Sequence, residues 1–512
     1  MKRGHRTALA TVVAATLVGG MTGALSGSAV AAGTAGTAGA AAKQPRTDFN
    51  GDGYNDFVVS APAAWAHGKW RVGSVTAFYG SAQGVSPARH TTIDQDTSGV
   101  PDTAENGDLF GAATTTGDFD RDGYTDLAVG SPLEDVGSDI NGGTVQIVWG
   151  SPRGLAGAST IADPAPAEHD RFGASLAAGD FDGDGRTDLA VGTSSSTLYT
   201  FRKGIGRNGR AGALATRSLS LRGAPEAGII NLTAGDVTGD GRADLMVDGL
   251  NRTASTTDGK YHNVNYYVPG TSTGPSRTTA KRMPGGLAAA IGDIDGDGRG
   301  DIVTGVYWGR TTATGPIGGK VEITYGSASG PSSRVQTITQ ESGAIPGDSE
   351  DWDKFGSSVT LGDVNGDGRL DLAVGAQQEN MRLWGQMHYN MGTVTVLYGT
   401  ASGIDTKTSP QYFYQGNHGV PGTPGGNFGT AALLSDLDHD GGADLIAGSP
   451  WQDNGDGTVT VLPSEPAQDG QHRIGTVGAQ LLRLGQTGMD TTGIPQFGSV
   501  LQTSRQESLI NT

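Results

Sequence analysis

Cysteine is absent from the 512 residues. That excludes disulfides, thiolate metal sites, cysteine nucleophiles and a lipid-modified cysteine anchor together. Aromatic residues are scarce, at 6%, and apolar residues do not recur at helical spacing. Positive charge is short as well: 35 Lys and Arg face 53 Asp and Glu, a formal charge of −18. Nucleic acid and anionic membrane surfaces are therefore not expected as partners. Past the first 25 residues no run is long and apolar enough to cross a bilayer. A strict Gly-X-Y period is missing, which excludes collagen. Glycine is abundant, at 86 residues, and points to tight turns and short strands.

The first 31 residues read as an export signal. Lys2, Arg3 and Arg6 precede an apolar stretch from Ala8 to Leu25, and Ala29-Val30-Ala31 offers small residues to a peptidase. An uncleaved anchor is the competing reading, but Gly19, Gly20 and Gly23 make the stretch weakly hydrophobic. Residues 32–47 form a flexible Gly/Ala/Thr leader, and 503–512 a C-terminal tail. The mature chain is expected to be secreted, soluble and monomeric.

Seven loops share one pattern, with oxygen-bearing side chains at positions 1, 3, 5 and 9 and glycine at position 6. In order they offer Asp48, Asn50, Asp52 and Asp56; Asp118, Asp120, Asp122 and Asp126; Asp180, Asp182, Asp184 and Asp188. The later loops offer Asp236, Thr238, Asp240 and Asp244; Asp293, Asp295, Asp297 and Asp301; Asp363, Asn365, Asp367 and Asp371; Asp436, Asp438, Asp440 and Asp444. Alternate side chains of such a loop turn inward, glycine permits the sharp bend, and a hard cation such as calcium fits the oxygen shell. One divalent ion per loop would bring the charge of −18 to −4. Thr238 replaces a carboxylate, so the fourth loop is expected to bind most weakly.

The loops begin 56 to 73 residues apart, each with similar flanks. Phe-Gly stands eight residues before the loop at Phe110, Phe172, Phe355 and Phe428, and an apolar run such as Leu127-Ala-Val-Gly-Ser-Pro132 follows it. Next comes an alternating strand, such as Thr144 to Trp149 or Thr393 to Tyr398, and then a weaker one. Four short strands per unit make one antiparallel sheet. A lone sheet cannot bury both faces, and radial packing of seven such sheets is a β-propeller. The fold expected over residues 48–502 is thus all-β and seven-bladed. Phe497 to Gln502 is a Phe-Gly strand without a following loop, and Asp48 begins a loop without a preceding strand. The two should complete one blade and close the ring.

Phe-Gly, the spaced acidic loop and Leu-Ala-Val-Gly-Ser/Ala-Pro together resemble the FG-GAP repeat, which builds the seven-bladed propeller at the N-terminal end of integrin alpha subunits. Similar repeats occur in exported bacterial proteins. The resemblance implies calcium in the loops and a propeller fold, but no single activity. Units four and five depart from it, with Gly228 and Gly285 in place of Phe.

Rival readings of these residues are weaker. An EF-hand needs Glu at position 12, where Val59, Val129, Val191, Val247, Thr304, Val374 and Ala447 stand instead. Arg299-Gly300-Asp301 spells an integrin-recognised tripeptide, but Asp301 is position 9 of the fifth loop. Oxygen cages leave no open Lewis-acid position, so the ions are expected to be structural. No catalytic residue can be assigned: the chain lacks a Gly-x-Ser-x-Gly elbow, His-Glu-x-x-His or a phosphate-cradling loop.

In an antiparallel blade successive turns alternate between faces. The turns opposite the metal loops carry Trp65, Trp70, Trp308, Trp352, Trp384 and Trp451, with Glu105, Asp108, Glu350 and Asp353 nearby. Exposed aromatics among polar groups suit a glycan or a protein ligand. The bland alternative is that each Trp caps its own loop. Recognition or adhesion is the expected function, and a carbohydrate-active hydrolase or lyase the alternative.

Overall fold

Each acidic loop lies between the first two strands of its own sheet in the computed structural model, which describes residues 46–218, 228–252, 261–307, 317–383, 385–467 and 470–502. The predicted signal, all but the end of the leader, the tail, Trp308 and Trp384 lie outside the described residues. Seven principal sheets follow one another as the blades of a β-propeller, and two small hairpins are added in the sixth and seventh. In blade 2, Ala113–Gly117, Asp126–Ser131, Thr144–Val148 and Ala158–Ile161 pair in order, all antiparallel. Blades 3, 4, 5 and 7 repeat that order. The first strands line a central cavity of about 240 Å³, walled by Thr115, Ala177, Leu232, Ala289, Val359 and Leu433 among others.

The ring closes as the repeat phase requires. Val500–Leu501 pairs antiparallel with Phe57–Ala61, matching Val59 to Leu501 and Ser60 to Val500. Phe497 is fully buried with its ring 6.4 Å from that of Phe78. A strand contributed from the far end of the chain thus becomes the innermost strand of blade 1.

In blades 1, 2 and 7 the alternating third strand has neither face exposed. Ser74–Phe78, Thr144–Val148 and Thr458–Leu462 are buried throughout. Each blade packs a neighbour against both faces, so intervening polar residues are buried and must be hydrogen-bonded. Thr76 Oγ1 meets Thr92 Oγ1 at 3.1 Å, and Gln146 Nε2 donates to the Pro101 carbonyl at 2.7 Å.

Packing explains the two glycines of the repeat. A Cβ on Gly130 would lie 2.1 Å from the Gly173 carbonyl oxygen of the next blade. The same approach joins Gly305 to Gly356, Gly375 to Gly429, and Gly448 to Gly498 across the ring closure, at 1.9–2.1 Å. The Phe of each Phe-Gly pair is buried to within 1%. So is the apolar residue at loop position 2: Phe49, Phe119, Phe181, Val237, Ile294, Val364 and Leu437.

Candidate functional site

Two carboxylates shape each acidic loop by accepting backbone hydrogen bonds. The Asp at position 1 receives the N–H groups of positions 5 and 6 on its two oxygens, at 2.7–3.2 Å in all seven loops. Its side chain therefore holds the sharp turn from within, as Asp does in Asx-type turns.

The Asp at position 9 faces the other way. Its Oδ2 accepts the N–H of position 2, and its Oδ1 accepts an N–H from the later part of the third strand or just beyond it, at 2.7–3.1 Å in every loop. Asp56 thus links Phe49 to Gly80, and Asp444 links Leu437 to Ser464. All seven are buried to within 2%. Desolvation is the main cause that pushes these carboxyls up, to about 6 for Asp244, about 7 for Asp56, Asp126, Asp188 and Asp301, and about 8 for Asp371 and Asp444. Asp301 is thereby committed to the Ile294 and Gly326 amides, and is not displayed as an adhesive tripeptide would be.

Carboxylates converge in four loops. Oxygens of Asp118, Asp120 and Asp122 lie within 4.8 Å of one another, as do those of Asp293, Asp295 and Asp297, and of Asp436, Asp438 and Asp440. In the third loop the group is Asp180, Asp182 and Asp188. Three converging carboxylates fit a hard divalent cation. Position 9 joins only in the third loop; Asp244 Oδ2 also accepts from the Tyr267 hydroxyl and Asp371 Oδ2 from the Asn365 N–H. Asn50 and Asn365 replace a carboxylate at position 3 of the first and sixth loops. In the fourth, the Thr238 hydroxyl donates to Asp236 Oδ1 at 3.3 Å.

Arginines stand among these acids. Arg207 reaches Asp120 and Asp122 at 2.6 Å each, Arg202 reaches Asp182 at 2.6 Å, and Arg334 reaches Asp295 at 2.5 Å. Arg207 crosses from blade 3 to the loop of blade 2, so the acidic loops also tie neighbouring blades together.

On the opposite face the tryptophans divide. Trp352 is 70% exposed, Trp70 45% and Trp451 43%. Trp65 is half-buried, paired with Asp490, and would contact a Cβ on Gly493 at 2.4 Å. It therefore packs against the turn around Asp490 to Gly493, far from it in sequence. Tyr389, 70% exposed in the turn of blade 6, belongs with the exposed group. Lone aromatics in Gly-rich turns look alike in sequence, and only the packing of distant segments separates them.

A family model described as the FG-GAP repeat matches residues 47–66, 110–161, 172–214, 355–397 and 428–462. These fall in blades 1, 2, 3, 6 and 7, and the two unmatched blades are those with glycine in place of Phe. Phosphatidylinositol-glycan-specific phospholipase D of Rattus norvegicus is 34% identical over 145 residues, 28% of this chain and 17% of that protein. Integrin alpha-PS2 of Drosophila melanogaster is 30% identical over 219 residues, 40% of this chain and 15% of its own length. Integrin alpha-6 of Gallus gallus is 32% identical over 161 residues, 30% and 13%. The chain thus spans less than a fifth of each of these relatives. Among solved structures, exotype rhamnogalacturonan lyase YesX aligns over 78% of this chain and 69% of its own, at a TM-score of 0.37 and 12% identity. The chain thus carries FG-GAP repeats in five blades of a seven-bladed β-propeller whose ring is closed by the strand Val500–Leu501, and it is similar in sequence to integrin alpha chains.

Proposed function

We propose that the chain is a secreted recognition or adhesion protein whose face opposite the acidic loops binds a protein or glycan, while calcium in the loops stiffens the ring. The observation that carries this reading is an arc of exposed aromatics over consecutive blades. Trp352 stands at the boundary of blades 5 and 6, Tyr389 in blade 6, Trp451 in blade 7 and Trp70 in blade 1. All four lie in turns of one face by strand order. Large rings held on short turns supply contact area at low entropic cost and stack well on sugar rings or in protein pockets. Converging carboxylates in four loops support the calcium role, and the likeness to integrin alpha chains supports a protein ligand. Among the described residues no helix is long and apolar enough to cross a membrane.

A binding screen over glycans and proteins tests the proposal, followed by product analysis on any polysaccharide that binds. Binding without product is the expected result. Cleavage would replace recognition with a hydrolase or lyase on the same scaffold.

A further inference from the structure

Away from the acidic loops, one constellation of three buried residues occurs twice. At the boundary of blades 5 and 6, Gln340, Asp353 and Glu379 are 3%, 0% and 4% exposed. At the boundary of blades 1 and 2, Gln95, Asp108 and Glu134 are 1%, 2% and 1% exposed. Gln340 Nε2 donates to Glu379 Oε2 at 2.6 Å, and Gln95 Nε2 to Glu134 Oε2 at 2.5 Å. Asp353 Oδ2 accepts the Glu350 N–H at 2.6 Å, and Asp108 Oδ2 the Glu105 N–H at 2.5 Å. The Asp carbonyls accept the N–H groups of Gln378 and Leu133. The Glu comes from one blade and the Gln and Asp from the connection entering it, so each constellation spans a blade boundary.

Three of the oxygens left over have no donor. Gln340 Oε1, Asp353 Oδ1 and Gln95 Oε1 are buried without a hydrogen-bond partner. The Gln340 amide cannot be turned round to find one, because its nitrogen must face the Glu379 carboxylate. Its oxygen instead shares the space beside Gly318 with Asp353 Oδ2. A Cβ built on Gly318 would have the Glu350 carbonyl oxygen at 2.8 Å, Asp353 Oδ2 at 3.2 Å and Gln340 Oε1 at 3.3 Å. Glycine at 318 keeps this convergence of three acceptors open. Glu379 Oε1 and the Tyr412 hydroxyl border the neighbouring space at Gly347, at 3.7 and 3.6 Å from the equivalent point. Among the described residues no Lys, Arg or His forms an ion pair with Asp353, Glu379, Asp108 or Glu134.

Two buried carboxylates and an unpaired carboxamide oxygen need positive charge or protons to be stable. We propose that each constellation is a second kind of cation site, in which a hard divalent ion such as calcium is held by the Gln, Asp and Glu oxygens and clamps two blades on the face away from the loops. Carboxylate and amide oxygens are the donors such an ion takes. Burial also pushes the Glu379 and Glu134 carboxyls up to about 8, chiefly by desolvation and then by the nearby Asp charge. Protonation is therefore the competing means of neutralising them.

Counting bound calcium decides between the two. The full chain, equilibrated by dialysis at saturating calcium and measured by atomic emission, should lose one ion in D353N/E379Q and one in D108N/E134Q. These near-isosteric changes leave every loop carboxylate in place. An unchanged count in variants with native circular dichroism overturns the proposal and assigns a shared-proton pair. Should a variant not fold, crystals of the unaltered protein soaked in manganese provide the readout. Anomalous density between Asp353 and Glu379 supports the site, and its absence there overturns it, whatever the loops contain. Neither result depends on whether the aromatic arc binds a ligand.

Discussion

The two faces of the propeller are built on opposite principles. On one, seven loops reuse the same hydrogen bonds at the same positions, so that position 1 closes the turn and position 9 ties it to the third strand. On the other, the turns vary in sequence from blade to blade, and Trp352, Tyr389, Trp451 and Trp70 each stand exposed in a different turn. Repetition is what packing requires, since every blade must meet its neighbour in the same way. Departure from it is available where turns face solvent, and loops held by a rigid scaffold are where recognition residues concentrate. The contrast teaches where to look: the repeated parts report on stability, and the singular parts on specificity.

That contrast can be broken in several ways, and chelation should have the largest effect. Four triad loops, each adding about 2.7 kcal/mol at calcium about 100-fold above its dissociation constant, would together contribute about 11 kcal/mol. The melting midpoint should therefore drop steeply in chelator at matched ionic strength, and an unmoved midpoint would sink the calcium role. Asp444→Ala comes next. It strands the Leu437 and Ser464 amides at about 1–3 kcal/mol each, visible as a lower urea midpoint with or without calcium.

Gly448→Ala forces a methyl group to within 1.9 Å of the Gly498 carbonyl and should cost about 1–3 kcal/mol. A midpoint equal to that of the unaltered chain would refute the proposed reason for that glycine. Trp352→Ala is the smallest perturbation of the fold, within about 0.5 kcal/mol, yet it should weaken ligand binding by at least about 2 kcal/mol, roughly 30-fold. Titration of the ligand found in the screen checks this, and undiminished affinity would remove Trp352 from the site.

The phase of the repeats and the closure of the ring were legible because their signals are local and recur: Phe-Gly, the acidic loop and the orphan strand at Phe497 can each be counted. The second task of position 9 was not legible, because the partner amide of Asp56 belongs to Gly80, across two strands. Nor could Gln95 be matched with Glu134, 39 residues apart and on opposite sides of a blade boundary. The burial of the third strands follows from the radial packing and not from their alternation, which describes one sheet and says nothing of the neighbour covering its other face. The acidic loops at Asp118, Asp180, Asp293 and Asp436 converge as clusters, whereas the six tryptophans read together from the sequence have different fates among the described residues. Trp65 is packed against a turn that the sequence places more than 400 residues later.

The pairing of Val59 with Leu501 bears on how this chain must acquire its shape. Bringing together groups about 440 residues apart costs an unstructured chain about 5 kcal/mol in closure entropy, a cost largely removed once the intervening blades have stacked. Closure is then the last event of folding rather than its nucleus, and an incomplete ring displays the Phe57–Ala61 edge as a ready acceptor for a strand of another molecule. The seam is made of hydrogen bonds and side chains, not a peptide bond, so the order of the blades along the chain is free to rotate. A circular permutant opened between blades 2 and 3, with a linker joining the present seam, would keep every contact described above, make the Val59–Leu501 pairing local and move the closing step to the interface of blades 2 and 3.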